Sequence, residues 1–145
     1  PLINVEEKVI SELVNQSSSF AEASSFPEIE MIRNGSSQQK IDAAEAIKIF
    51  ARNHVNKKKL YNAGVVPPLI ALLKEGTAEG KEKAASAIVN IANHSDNQVR
   101  MYDASVVPPL IALLKEGTAE EKNYAAGAIL NIAVHSDNKV RMYDA

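Results

Sequence analysis

The chain has 145 residues, of which 46% are hydrophobic and 23% charged, and its net charge is −2. These fractions are ordinary for a folded protein and exclude a chain that is disordered throughout, while the near-neutral charge argues against a protein that binds nucleic acid electrostatically. The chain has no cysteine, which excludes disulfides, thiolate metal sites and a cysteine nucleophile, and it has no run of about 18 apolar residues that would predict a membrane span.

Residues 1–26 are predicted to form an N-terminal cap helix and a connector. Val5, Val9 and Leu13 recur at helical spacing and would share one face of a helix over Val5–Asn15. The stretch Gln16–Ser25 is polar and rich in serine, which is typical of a loop. We therefore expect it to connect the cap helix to the rest of the chain.

Residues 27–145 form an internal repeat. The fifteen residues VVPPLIALLKEGTAE occur at Val65–Glu79 and again at Val106–Glu120, 41 positions later. An earlier, more divergent copy has identical residues at the same offset of 41 positions. Its matching residues are Pro27, Gly35, Ile47, Ala51, Tyr61 and Ala63. We divide the repeat into a first copy (27–64), a second copy (65–105) and a third copy (106–145). A period of about 40 residues is typical of stacked helical units.

Each copy is predicted to begin with a helix opened by prolines, here called the proline helix. Pro108 and Pro109 lie where proline is tolerated, in the first helical turn. Gly117 follows the helix, and we expect it to adopt a positive φ there. Ser105 replaces the turn glycine found at Gly64, and we expect this change to be mild.

Two further helices are predicted in each copy, here called the long helix and the short helix. Thr118 and Glu121 form a capping-box pattern ahead of a long helix from Ala119 to about Val134. Asn97–Asp103 is predicted to be a short helix with Asp96 as its N-cap. Alternating strand patterns are absent from the sequence, so the fold class is predicted to be all-α.

The repeat resembles a known family. The resemblance rests on Asn97–Ala104, Val107–Leu114 and Ala125–Ala133 and covers Pro27–Ala145. These segments are similar to the armadillo repeat of β-catenin and importin-α, whereas the two-helix HEAT repeat lacks the short helix and matches less well. The resemblance implies a right-handed α-solenoid with three helices per repeat of about 41 residues. It also implies that the long helices line a concave groove that binds extended peptides.

The candidate peptide-binding residues lie on the long helices, opposite their Ala/Ile core stripe. Neighbouring helices pack about 8–10 Å apart, so equivalent side chains form a ladder along a solenoid. Its members are Asp42, Glu45, Ile49 and Arg52 in the first copy, Lys83, Ser86, Asn90 and Asn93 in the second, and Tyr124, Gly127, Asn131 and Val134 in the third.

Asn90 and Asn131 are the central members of this ladder. A side-chain amide carries donors and an acceptor, so it can bind the N–H and C=O groups of a peptide whatever the peptide's sequence. The resemblance implies that armadillo proteins use an asparagine here for that task. The alternative is that each asparagine caps a neighbouring helix end or faces water. Specificity is then expected from Lys83, Tyr124, Glu45 and Arg52.

The ladder departs from importin-α at two kinds of position. Importin-α has a tryptophan one turn before that asparagine, which forms pockets for lysine side chains. Ser86 and Gly127 stand there instead, and the chain has no tryptophan. Recognition of basic nuclear-localisation signals is therefore not expected. In the first copy Ile49 replaces the asparagine and Glu45 takes the tryptophan position, so the ladder is expected to be broken there.

We expect no catalysis, metal or cofactor. His94-Ser95-Asp96 contains the residue types of a hydrolase triad, but consecutive residues in one turn do not reach the required geometry. The three histidines lie one per copy, whereas zinc needs three or four converging ligands. Lys57–Lys59 is interpreted as a solvated helix surface, with an acidic partner or an anionic membrane surface as the alternative.

The sequence predicts a protein–protein interaction scaffold that binds an extended segment of a protein or peptide partner. Nucleic acid, a small-molecule substrate and a membrane are not expected as partners. Two alternatives remain open. One is self-assembly into a homo-oligomer through the C-terminal face, where the helix Ala119–Val134 is left partly uncovered, and the other is the substrate-binding part of a larger protein such as a U-box ubiquitin ligase. We expect a fragment of a longer array and a cytoplasmic location, with the nucleus as the alternative.

Overall fold

The structure is a computed structural model that describes residues 7–10 and 26–135. Within these residues the chain forms helices joined by short turns, and residues 7–10 are also helical. The helices of the repeat are α1 (Pro27–Asn34), α2 (Ser37–Phe50), α3 (His54–Asn62), α4 (Val66–Glu75), α5 (Ala78–Ala92), α6 (Ser95–Asp103), α7 (Val107–Glu116) and α8 (Ala119–Ala133). The predicted all-α fold is confirmed.

The helices stack copy upon copy. The proline helices are α1, α4 and α7, the long helices are α2, α5 and α8, and the short helices are α3 and α6. Each long helix packs on its own proline helix, and α5 packs between the long helices α2 and α8, which gives the solenoid that the repeat predicts. The short helix predicted after residue 135 and the serine-rich connector lie outside the described residues, and the division into copies stays a prediction.

The helix starts follow the predicted chemistry. Proline lies in the first turn of all three proline helices. The Thr118–Glu121 capping box is confirmed, because the Glu121 N–H donates to Thr118 Oγ1 at 3.2 Å and the Thr118 N–H donates to Glu121 Oε2 at 3.1 Å. Ser36 and Gln39 form the same box at the start of α2. Local residue chemistry therefore sets where the long helices begin.

The expected positive φ at Gly117 is wrong. Gly117 has φ −77° and Gly76, its counterpart, has φ −72°, so both are extended. Glycine is required there for a different reason. A Cβ at Gly117 would lie 2.6 Å from the Leu113 carbonyl oxygen, and one at Gly76 would lie 2.6 Å from that of Leu72. The backbone after each proline helix therefore passes so close to the helix's last turn that a side chain at the glycine would clash with it.

Left-handed backbone occurs instead at the turns before the proline helices α4 and α7. Gly64 has φ +87° and Ser105 has φ +62°. The serine keeps the turn that glycine makes in the preceding copy. A residue with a Cβ loses about 1 kcal/mol in this conformation, so the substitution adds backbone strain between α6 and α7.

The predicted N-cap of the short helix is wrong by two residues. Helix α6 begins at Ser95, and the cap is His94, whose Nδ1 accepts a hydrogen bond from the Asp96 N–H at 3.1 Å. Asn53 occupies the equivalent position before α3 and caps it through its side-chain oxygen. Histidine is an uncommon N-cap, whereas Asp96, two positions later, is a common cap residue type and was therefore predicted instead.

One apolar core runs through the stacked copies. Its fully buried members include one large aliphatic residue from each of the helices α2, α4, α5, α7 and α8, namely Ile47, Leu69, Ile88, Leu110 and Ile132. Near the N-terminus Ile10 packs against this core, whereas Val9 is 49% exposed. The predicted apolar face of the cap helix is therefore wrong for Val9, and Val5 and Leu13 lie outside the described residues.

Candidate functional site

Asn90 and Asn131 make the same contact at successive junctions between copies. Nδ2 of Asn90 donates to the Lys48 carbonyl oxygen at 2.9 Å, and Nδ2 of Asn131 donates to that of Val89 at 2.9 Å. Both carbonyls lie in the last turn of the preceding long helix, where the helix itself supplies no partner. The structure thus shows the helix-capping alternative for both residues.

This cap uses only part of each amide. Asn90 and Asn131 are both half-buried on the long-helix face. A primary amide has a second hydrogen and an oxygen with two acceptor positions. The bond to the neighbouring helix orients the amide, and the remaining groups can still meet a peptide backbone. The two roles are therefore compatible.

The first junction carries an ion-pair network. Lys48 Nζ lies 2.9 Å from Glu45 Oε1, and Lys83 Nζ lies 3.2 Å from Glu45 Oε2, which joins the first copy to the second. Partial burial raises the pKa of Glu45, but the two lysines outweigh it and the net shift is downward. Burial lowers the pKa of Lys83, but the negative charges of Glu45, Glu82 and Glu79 outweigh burial, so the net shift is upward. Both groups are therefore charged at neutral pH.

The second junction places different residues at the same positions. Val89, Ser86, Tyr124 and Gly127 stand where the first junction has Lys48, Glu45, Lys83 and Ser86. Tyr124 and Val89 are partly buried against the core. A Cβ added to Gly127 would lie 3.6 Å from Val89 Cγ2, which is ordinary contact, so nothing crowds this point of the surface.

Two predicted ladder residues offer little surface to a partner. Ser86 is 4% exposed, and its Oγ donates to the Lys83 carbonyl oxygen at 2.9 Å. Ile49 is 8% exposed and belongs to the packed side of α2. The prediction that Ser86 and Ile49 contact a peptide is therefore corrected, because Ser86 is bonded to its own helix and Ile49 is packed.

The other ladder residues lie at the surface. Asp42, Arg52, Asn93 and Val134 are exposed. Asp42 accepts from Gln38 Nε2 at 3.0 Å, and Arg52 forms an ion pair with Glu7 of the N-terminal helical segment. Arg52 is thus tied to the chain's own acid, and its predicted part in specificity would require that pair to open.

Sequence reasoning missed a second set of caps at the long-helix ends. Asn97 is fully buried, and its Nδ2 donates to the Ile91 and Lys57 carbonyl oxygens at 2.9 and 3.0 Å. Lys57 is 6% exposed, its ammonium donates to the Ala51 carbonyl oxygen, and burial lowers its pKa. The interpretation of Lys57 as solvated is therefore wrong. The repeat could have revealed these caps, because Asn56 lies 41 residues before Asn97 and likewise donates to a carbonyl at the end of a long helix.

Two of the three histidines lie close together, although the sequence places them in different copies. The His54 and His94 rings stack with centroids 4.4 Å apart. Within residues 7–10 and 26–135, no three histidine, aspartate or glutamate side chains cluster in a way that could hold a metal ion. None of the helices formed by these residues combines the length and the apolar character that a bilayer crossing needs.

Comparison with known proteins identifies the repeat. The model of the Armadillo/beta-catenin-like repeat matches residues 53–93. A designed armadillo repeat protein in complex with the peptide (KR)4 superposes with a TM-score of 0.81 at 27% identity, over 92% of this chain and 59% of that one. Residues 53–93 therefore match an armadillo repeat, and the described helices share the fold of designed armadillo repeat proteins.

Two further solved structures agree. Computationally designed armadillo repeat proteins for modular peptide recognition match with a TM-score of 0.75 at 30% identity, over 82% of this chain and 51% of that one. Another designed armadillo repeat protein matches with a TM-score of 0.76 at 28% identity, over 81% and 50%. The chain spans half to three-fifths of the length of these structures. No curated protein matches its sequence.

Proposed function

We propose that this armadillo solenoid is a non-catalytic scaffold whose long-helix face binds an extended segment of a partner protein. The observation that carries the proposal is the pair Asn90 and Asn131. They repeat on successive long helices, each is oriented by a 2.9 Å bond to the neighbouring helix, and each is half-buried. Regularly spaced, oriented amides suit the regularly spaced N–H and C=O groups of an extended backbone.

The spacing supports the same proposal. Packed helices lie about 8–10 Å apart, and an extended peptide advances about 3.3 Å per residue. One amide therefore meets the peptide every two to three residues. Such contacts hold the backbone and leave the side chains between them to be selected by the rest of the groove.

The similar structures also support peptide binding. One was solved in complex with the peptide (KR)4, and another set was designed for modular peptide recognition. Those peptides belong to those proteins. What they support here is that a solenoid of this fold can bind a peptide; the choice of the long-helix face rests on Asn90 and Asn131.

The test is an affinity pull-down with mass spectrometry, comparing the parent chain with an Asn90→Ala/Asn131→Ala variant. Each substitution also removes a helix cap and costs about 1 kcal/mol of stability. Asn56→Ala is the matched control, because Asn56 Nδ2 donates to the Phe50 carbonyl oxygen at 3.2 Å and caps a long helix from the short-helix side.

We expect partners to bind the parent and the Asn56→Ala control and to be lost from the double variant. Circular dichroism must show that all three proteins are equally helical. Identical partner lists for the parent and the double variant would overturn the groove proposal.

Self-assembly is the second candidate, favoured by the apolar surface of the third copy. Leu130 is 66% exposed and Leu114 is 37% exposed. Sedimentation velocity over a range of concentrations tests it, and Leu130→Lys should abolish any association. A sedimentation coefficient that stays constant with concentration would exclude this candidate. The U-box alternative stays a prediction.

A further inference from the structure

The two junctions between copies share one backbone contact and differ in side-chain chemistry. At the first junction Asn90 bonds to Lys48, and at the second Asn131 bonds to Val89, both at 2.9 Å. Any segment that bridges both amides therefore meets equivalent hydrogen-bonding groups. The difference in what lies beside each amide must decide which of the segment's side chains are accepted.

The first junction is occupied by its own side chains. Starting at Asn90, the contacts run to Lys48, from Lys48 to Glu45 at 2.9 Å, and from Glu45 to Lys83 at 3.2 Å. The Lys83 carbonyl then accepts from Ser86, one turn before Asn90. These contacts form a chain along the junction, from the Asn90 amide to the Ser86 hydroxyl. An incoming side chain would have to displace a half-buried ion pair, so this position favours a small residue.

The equivalent residues of the second junction cannot form such an ion-pair network. None of Val89, Ser86, Tyr124 and Gly127 carries a charge. Tyr124 presents an aromatic ring at the position of Lys83. A Cβ on Gly127 would be in van der Waals contact with Val89 Cγ2 at 3.6 Å, so the glycine leaves the half-buried Val89 without a side chain against it there. Val134, one turn beyond Asn131, extends the same apolar surface and is 62% exposed.

We infer that the second junction is the selective position of the groove, and that it takes an aromatic or large aliphatic side chain of the bound segment between Tyr124, Val89 and Gly127. This inference rests on the proposed function. Charge complementarity supports it, because burying a charged side chain against Val89 and Tyr124 without a counter-ion is unfavourable, whereas aromatic pairs and apolar contacts are favourable. The first junction accepts a small residue two to three positions away.

The experiment is a selection from random peptides of about ten residues, which in extended form span roughly 33 Å and so cover both junctions. The parent chain is the bait. We expect the selected peptides to share one aromatic or large aliphatic position. The same peptides are then measured by fluorescence anisotropy against variants of the two junctions.

Tyr124→Ser and Lys83→Ser form a matched pair, since the two residues occupy equivalent positions. We expect Tyr124→Ser to weaken binding about tenfold, as for a buried aromatic anchor, and Lys83→Ser by less than about threefold. Gly127→Leu is the second variant, and it should weaken binding of the apolar peptides by filling the space from the other side. Thermal unfolding of each variant shows that the fold is retained.

The outcomes separate the two proposals. Selected peptides that depend on Asn90 and Asn131 but lack a shared apolar position would overturn this inference and leave the groove proposal standing. Equal losses from Tyr124→Ser and Lys83→Ser would overturn it as well. Failure to select any peptide would count against peptide capture itself.

Discussion

The second and third copies share fifteen consecutive identical residues, yet the structure treats them differently. Leu73 in the second copy is 2% exposed, whereas Leu114, the same residue of the third copy, is 37% exposed. Helix α4 is followed by another layer of the solenoid, with which it makes contact, and α7 is the last proline helix among the described residues. Burial in a solenoid is therefore set by the neighbouring layer and not by the local sequence.

The long helices show the same contrast. Ile88 is fully buried while its counterpart Ile129 is half-buried, and Val89 is half-buried while Leu130 is 66% exposed. The third copy is thus as apolar as the second but gains less from burial. Because layers with fewer buried contacts open more easily, we expect α7 and α8 to be the less stable part of the described solenoid.

The sharpest test of this contrast is to truncate the same leucine in each copy. Leu73→Ala should lower the free energy of unfolding by about 3 kcal/mol, because it removes a fully packed side chain and leaves a cavity. Leu114→Ala should cost about 1 kcal/mol, since much of that side chain is already in water. Urea denaturation followed by circular dichroism measures both, and equal losses would show that Leu114 is buried.

The helical architecture was predictable because its determinants are local and repeated. Pro-Pro pairs, Thr or Ser caps and an Ala/Ile stripe each specify one step of the unit, and the offset of 41 residues shows that the steps recur. The reason for Gly76 and Gly117 was not predictable. It depends on the distance from a Cβ to a carbonyl oxygen of the preceding helix, which only the three-dimensional path of the turn determines.

The turns before α4 and α7 provide a second matched pair, with a smaller expected effect. Ser105→Gly should raise the free energy of unfolding by roughly 0.5–1 kcal/mol, because it removes a Cβ from left-handed backbone. Gly64→Ser should lower it by about 1 kcal/mol for the converse reason, and a Cβ at Gly64 meets nothing closer than 3.8 Å, so the cost is conformational. Thermal denaturation of both variants checks the signs. Shifts in the same direction would contradict the left-handed assignment of Ser105.

The smallest expected effect is a pH dependence of stability that comes from the cap of one short helix. His94 caps α6 and titrates, whereas Asn53 caps α3 and does not. The pKa of His94 is lowered, first by partial burial and then by His54, Lys58 and Lys57, against the opposing charge of Asp96. The unfolded chain then binds a proton more readily than the folded one, so the free energy of unfolding falls as pH drops through about 6.5.

His94→Asn supplies the residue that caps α3 in the first copy and removes the titrating group. We expect it to flatten the stability profile between pH 7 and 5, approximately the range over which histidine titrates. Urea midpoints across that range measure it. A slope unchanged from the parent would assign the pH dependence to other groups.

The candidate site was predictable in part. Periodicity alone placed Asn90 and Asn131 on one face, and the structure brings both to equivalent junctions. It could not show that each amide caps the preceding helix or that Glu45 and Lys83 pair with each other, because these contacts join residues about one repeat apart. The burial of Ser86 and Lys57 was missed because serine and lysine are usually exposed.

The central claim is that Asn90 and Asn131 hold the backbone of a bound segment. The most direct measurement is to follow their side-chain amide signals by ¹H–¹⁵N NMR while a selected peptide is titrated into the protein. The proposal predicts that both pairs of Nδ2 signals shift together and saturate at the same peptide concentration. The proposal would be contradicted if binding saturates while both pairs of Nδ2 signals stay unchanged and the signals of Lys58 and Lys59, or of the exposed Leu114 and Leu130, shift instead.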